Sequence, residues 1–159
     1  MRYSWVVLVV TFGLANPRWP QNVLAVTTDQ TAAIDFVQKA VPRALDYDQG
    51  NRQSLVDVED DFTPDGWREF MKWLAGFLDD KGAPTGSSRF TATGATVVKS
   101  KGNDAIRLAI PGTLKQQSKN AYGGLSTTTY RVTVDVEVNG NALKIQYLQT
   151  RTCGAKPCE

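Results

Sequence analysis

Carboxylates and tyrosines are the groups in this chain best able to move a proton, because it contains no histidine. That absence removes the commonest general base and transition-metal ligand, and with them every Ser-His-Asp or Cys-His arrangement. Asp57-x-Glu59-x-Asp61 begins as a calcium loop does. The loop then fails, since Phe62 stands where glycine makes the sharp turn and Arg68 where a bidentate glutamate belongs. Asp46-x-Asp48 has no matching ligands downstream. Both groups read as solvated acids near helix ends. An acid–base enzyme of another kind needs a carboxyl held neutral in an apolar pocket, aided by a tyrosine donor. The nominal candidates are Asp46, Tyr47, Tyr130, Asp135 and Tyr147. Asp135 falls on the polar parity of its strand, and Asp46 with Tyr47 suits a structural contact at the start of the third helix better than catalysis. No residue is assigned a catalytic role, and no cofactor or metal site is expected. Gly82 to Ser88 is glycine-rich, but it lacks the Lys-Ser/Thr pair and following helix of a phosphate loop and reads as a linker.

The two cysteines, Cys153 and Cys158, sit near the C-terminus with turn formers between them. In an exported chain this pattern predicts a structural disulfide that pins the tail. A redox pair or half a metal site is the alternative. The spacing is wider than Cys-x-x-Cys, and no histidine completes a zinc set.

Export is expected from the first residues. Arg2 supplies a positive start, and Trp5 to Ala15 is an almost unbroken apolar run. That run is shorter than the roughly 20 residues of a spanning helix and fits a signal peptide over residues 1–25, with Val23-Leu24-Ala25 before the cut. An uncleaved inner-membrane anchor is the alternative. With Arg2 and Arg18 assigned to the leader, 16 basic residues balance 16 acidic ones in the remainder. A neutral domain is a poor binder of nucleic acid, which needs a concentrated basic face. Lys99, Lys101, Arg107, Lys115 and Lys119 read as solvated strand faces and turns.

The elements that position these residues are helical first and strand-rich afterwards. Residues 26–159 suffice for one domain of class α+β, with N-terminal helices packed on a curved antiparallel sheet of about four strands. Thr27, Thr28 and Asp29 offer caps for a helix to about Val41, with Ile34, Val37 and Val41 as its stripe and Phe36 and Ala40 alongside. Pro42 kinks this helix or starts a new segment. Arg52 to Asp61 predicts a second short helix. The third has the clearest start. Thr63 caps it, Pro64 takes the first position, and Asp65 faces the positive end of the dipole. Trp67, Phe70, Met71, Leu74, Phe77 and Leu78 then follow at helical spacing.

Among the strands, Phe90 to Lys99 is expected to be interrupted by Gly94. Lys101 to Asp104 reads as a hairpin turn, and Pro111-Gly112 as a bulge, bend or edge. Tyr130, Val132, Val134, Val136 and Val138 alternate with Arg131, Thr133, Asp135 and Glu137 over Thr128 to Val138. Leu143, Ile145 and Tyr147 mark the last strand.

Ala44-Leu45-Asp46-Tyr47, Arg52-Gln53-x-Leu55 and Phe62-Thr63-Pro64-x-Gly66-Trp67-x-x-Phe70 together resemble the periplasmic domain of the DotI/IcmL family. The resemblance spans roughly residues 36–150. It implies an NTF2-like fold of the VirB type and a non-enzymatic assembly or scaffold role in a type IV secretion apparatus of the Dot/Icm or conjugation kind. Partners would be secretion-apparatus proteins or a second copy, with no nucleic acid. Inner-membrane association would come through partners or an uncleaved leader. The cysteine-containing tail, and a leader in place of a full transmembrane helix, depart from the family pattern. Trp73, which lies off its helix stripe, and Tyr122 and Leu125, at a glycine-rich loop, are the candidate partner contacts. The alternative is a free-standing periplasmic domain that binds a small apolar ligand in its cone.

Overall fold

The computed structural model describes residues 21–102, 104–119 and 122–153, with side chains from Gln30 onward. The expected leader lies mostly outside these residues, as do Cys158 and Asn103. The chain runs through α1 (Gln21–Leu45), α2 (Gln53–Val56), α3 (Pro64–Leu74) and then β1 (Gly86–Ala92), β2 (Val97–Lys101), β3 (Ala105–Lys119), β4 (Leu125–Asn139) and β5 (Lys144–Thr152). Among the described residues no helix is long and apolar enough to cross a membrane.

Helix α1, described from Gln21 and so across the expected cleavage site, runs past Pro42, which sits in its last turn. It buries Ala33, Val37, Ala40, Val41 and Ala44, while Ile34 and Phe36 are only partly covered. The buried stripe is thus richer in alanine than the sequence pattern suggested, and small side chains let the helix axis come close to the sheet. The expected second helix is a single turn, α2, followed by a 3-10 turn at Glu59–Asp61.

Helix α3 follows its sequence signals at its start but stops at Leu74, short of the expected Phe77 and Leu78, and runs on only as a 3-10 turn over Ala75–Phe77. Thr63 Oγ1 accepts from the Gly66 N–H at 3.1 Å, and Gly66, Phe70 and Leu74 form the fully buried line. Burying such a side chain contributes about 1.5–3 kcal/mol. The helix seats on the last strand: Phe62 bridges Ile145, and the Thr63 N–H donates to the Ile145 carbonyl at 2.9 Å. A Cβ on Gly66 would lie under 3.0 Å from that same carbonyl oxygen. The signature Phe-Thr-Pro-x-Gly is therefore a docking device, with each residue serving the approach of the helix start to β5.

The sheet is open and antiparallel, in the order β1-β3-β4-β5, and β2 shares the β3 edge with β1. The expected first strand is split in two, which gives five strands where about four were expected. Its break and the Pro111-Gly112 signal are two sides of one event. Thr93 donates to the Pro111 carbonyl at 2.9 Å, but Pro111 has no N–H to return, so the ladder stops there. Pairing resumes at Val97, opposite Ala109. Pro111 is thus tolerated inside a central strand because its donor side faces the gap. Next to it, Gly112 lies beneath the Phe90 ring, which occupies the space a Cβ would need.

The inner face of the sheet carries Ile106, Leu108, Ile110, Leu114, the valines at 132, 134, 136 and 138, Ile145 and Leu148, all buried against α1 and α3. Tyr130, expected to share this buried parity, remains 37% exposed.

Candidate interaction surface

The inner face is where the alternative reading would place a ligand, and aromatic rings pack closely along part of it. Phe62, Trp67, Phe70, Trp73 and Phe77 form a run of neighbouring rings along α3, with centroids 4.9–6.0 Å apart. One cavity beside α1, bounded by Gln38, Pro42, Phe90, Ala92, Gly94, Thr96 and Ile110, has about 210 Å³. Small-molecule sites usually offer about 300–1,000 Å³.

Asp46 and Tyr47 pack against β1, not against the start of α3 as the sequence suggested. The reason is the length of α1, which carries them past the helix layer to the sheet edge. Tyr47 exchanges both backbone hydrogen bonds with Ser88, at 3.2 and 2.9 Å. Asp46 Oδ1 accepts from the Phe90 N–H at 2.6 Å. Arg89 donates to the Tyr47 carbonyl at 2.9 Å and pairs with Asp48. Burial raises the Asp46 carboxyl above the usual carboxylate range, against the pull of the Phe90 N–H and Arg89. Burial likewise raises the Tyr47 phenol, although hydrogen bonds to Ser88 and Gln116 oppose it. These groups form a latch that closes the β1 edge.

The latch has a testable pH signature. A phenol whose folded pKa exceeds its unfolded value gives stability that is complete below about pH 10 and is lost as pH rises through the folded pKa. Tyr47→Phe should remove that alkaline loss. It should also cost about 1–2 kcal/mol at neutral pH, because Ser88, 1% exposed, loses its phenol partner. Urea titrations at neutral and alkaline pH measure both effects.

The outer face of the sheet is polar. Arg107 pairs with Glu137, Arg151 with Asp135, and the Tyr147 hydroxyl donates to Gln149. These residues and Lys99 border a groove of about 630 Å³. Asp135 and Tyr147, two of the nominal acid–base candidates, therefore belong to an exposed ion-pair lattice. Asp57 and Asp61 lie near Arg43, which donates to the Asp57 carbonyl at 3.0 Å and pairs with Asp61 at 3.3 Å. Among the described residues no group of three or more acids or cysteines is placed to hold a metal ion.

The candidate contact residues fall in two places. Trp73 sits at the helix rim, partly buried and packed between Phe70 and Phe77 at 5.8 and 6.0 Å. Tyr122, in the turn between β3 and β4, and Leu125, at the start of β4, are 97% and 61% exposed. Cys153 follows β5 directly, and its N–H donates to the Arg131 carbonyl at 2.8 Å. Its proposed partner Cys158 lies outside the described residues.

Sequence reasoning missed the arm that carries Tyr122 and Leu125. β3 and β4 pair without interruption from Ala105–Asn139 to Lys119–Leu125. β5 covers β4 only from Val132 to Asn139. Residues Leu125 to Arg131 therefore extend past the neighbouring strand, exposed throughout. The signal was present in Ser126 to Thr129, a β-prone run without apolar alternation.

The sequence matches no protein-family profile and no curated protein. Solved structures do share the fold. The periplasmic domain of DotI superposes with a TM-score of 0.59 at 18% identity, over 77% of this chain and 95% of that one. An IcmL-like type IV secretion system protein from Legionella pneumophila gives 0.54 at 14% identity, over 82% and 96%. CagV of Helicobacter pylori, a VirB8 homolog, gives 0.52 at 13% identity, over 77% and 99%. The chain has the NTF2-like fold of the VirB8 and DotI periplasmic domains, as the motif resemblance implied.

Proposed function

We propose that this protein is a non-enzymatic assembly component of a type IV secretion or conjugation apparatus, acting in the periplasm through protein–protein contacts. The observation that carries the reading is its likeness to type IV secretion proteins over 95–99% of their solved domains. In this reading residues 1–25 are a signal peptide and residues 26–159 are the exported domain. Cys153 and Cys158 form a disulfide that closes the tail. Trp73 on the helix rim and Tyr122 with Leu125 on the arm provide the contacts.

In-cell cross-linking in the native host, with a tag after Glu159, tests the proposal. Recovery of inner-membrane secretion proteins is the expected result. Recovery of the processed protein alone would reject it. Tyr122→Ser and Leu125→Ser should each reduce the yield of cross-linked partner without lowering stability, because both side chains are exposed. Trp73→Ala separates rim packing from contact. If complexes form normally while the variant is merely less stable, Trp73 belongs to the fold alone.

A further inference from the structure

Charge is divided unevenly between the two sides of this fold. Residues 30–85, which hold the helical layer, carry 11 acidic and 6 basic groups. Residues 86–152, which hold the sheet, carry 3 acidic and 9 basic ones. Because α1 and α3 cover the inner face of the sheet, the neutral balance of the domain conceals an acidic side and a basic side.

The basic side is the outer face of the sheet. Three of its arginines are already matched: Arg89 with Asp48, Arg107 with Glu137 and Arg151 with Asp135. Three lysines are not. Lys99, Lys115 and Lys119 are exposed, and among the described residues no acid pairs with any of them. Lys99 borders the outer groove beside Arg107 and Arg151. Lys115 and Lys119 share the strand parity of Arg107, so they point outward too.

This surplus is spread out. Lys119 lies twelve positions along β3 from Arg107, a strand distance of about 40 Å. Between them the outer face carries Thr113 and Gln117 on β3 and Thr127 and Thr129 on β4, all uncharged.

The spacing narrows the partner. Duplex DNA carries a charge about every 1.7 Å of its axis and favours a concentrated cluster of cations. A folded acidic protein would need carboxylates set at the same wide intervals. A bilayer surface of anionic headgroups needs no such match, because its lipids move sideways to meet each lysine. The hydroxyls and amides between the lysines suit a hydrated headgroup layer, and the acidic helical side lies away from it.

We infer that the outer face of the sheet docks on an anionic lipid surface, with Lys99, Lys115 and Lys119 against the headgroups and the helical layer turned away. This goes beyond the assembly reading and draws only on its periplasmic placement. The test needs no secretion apparatus, so its failure leaves the cross-linking result to be judged separately.

The exported protein, purified from the host, is sedimented at low salt with vesicles of equal parts phosphatidylglycerol and phosphatidylcholine, and with vesicles of phosphatidylcholine alone. It should sediment with the first and not with the second. Raising the salt to about 1 M, where the Debye length is only about 3 Å, should release it. Lys99→Gln, Lys115→Gln and Lys119→Gln together should weaken binding about a hundredfold, at about fivefold for each lysine. The melting temperature should stay nearly unchanged, since all three side chains are exposed. Amine acetylation read by mass spectrometry gives the orientation. The anionic vesicles should shield Lys99, Lys115 and Lys119, while Lys39 and Lys81 of the helical layer stay reactive. Equal binding to both vesicles, undiminished binding of the triple variant, or shielding of Lys39 and Lys81 instead overturns the inference. So does shielding of the outer lysines without vesicles, which would assign the face to a second copy. Displacement of the vesicles by duplex DNA would assign it to nucleic acid and overturn the inference as well.

Discussion

Gly66→Ala should destabilise the protein by about 3 kcal/mol or more, although the substitution adds one methyl group in a helix where alanine is intrinsically favoured. The Cβ would press on the Ile145 carbonyl oxygen and come to 3.0 Å from Gln146 backbone atoms. Backbone cannot rotate away as a side chain tip can. Either α3 lifts from β5, giving up the Thr63-to-Ile145 hydrogen bond, or the register shift of β5 between its Glu137 and Val138 partners is reshaped. Gly76→Ala is the control, for nothing lies within 4 Å of a Cβ there and its φ is not positive. Urea denaturation should separate the two variants clearly. Equal stability would mean that α3 does not sit on β5 as described.

Phe70→Ala should cost about 3–5 kcal/mol, a large part of the ~5–15 kcal/mol that holds a typical domain together. Phe70 is 1% exposed and lies 4.9 Å from Phe62, 5.7 Å from Trp67 and 5.8 Å from Trp73 between ring centroids. Its loss opens a void that three large rings border, and rings refill space poorly because they move as rigid plates. The near-ultraviolet circular dichroism of Trp67 and Trp73 should weaken along with the urea midpoint. Phe70→Leu should keep more than half of the lost stability, since most of the volume returns.

Local chemistry made much of this fold legible. Thr63, Pro64 and Asp65 announced α3, and the valine alternation announced the inner face of β4, because capping and parity act within one segment. Events that need two distant segments were not legible. Gly94 and Pro111 each looked like an interruption, but only their pairing across the ladder shows that Pro111 stops the exchange with Thr93. Asp46 and Tyr47 could not be placed until α1 was known to reach Leu45. The arm escaped notice for a similar reason. β4 is exposed at Leu125 to Arg131 because β5 ends at Thr152, and the relative length of two neighbours is a property of neither alone.

The seat of α3 on β5 also orders events in time. The Thr63 and Ile145 partners are 82 positions apart, and β5 is the last strand of the sheet. A chain emerging from its N-terminus has all of α3 available long before its landing site exists. The β3–β4 hairpin closes over a short loop and can form early, whereas α3 must wait with Phe70 and Leu74 uncovered. The segment made early is among the last to settle, and during that interval its apolar face is exposed to whatever escorts the nascent chain.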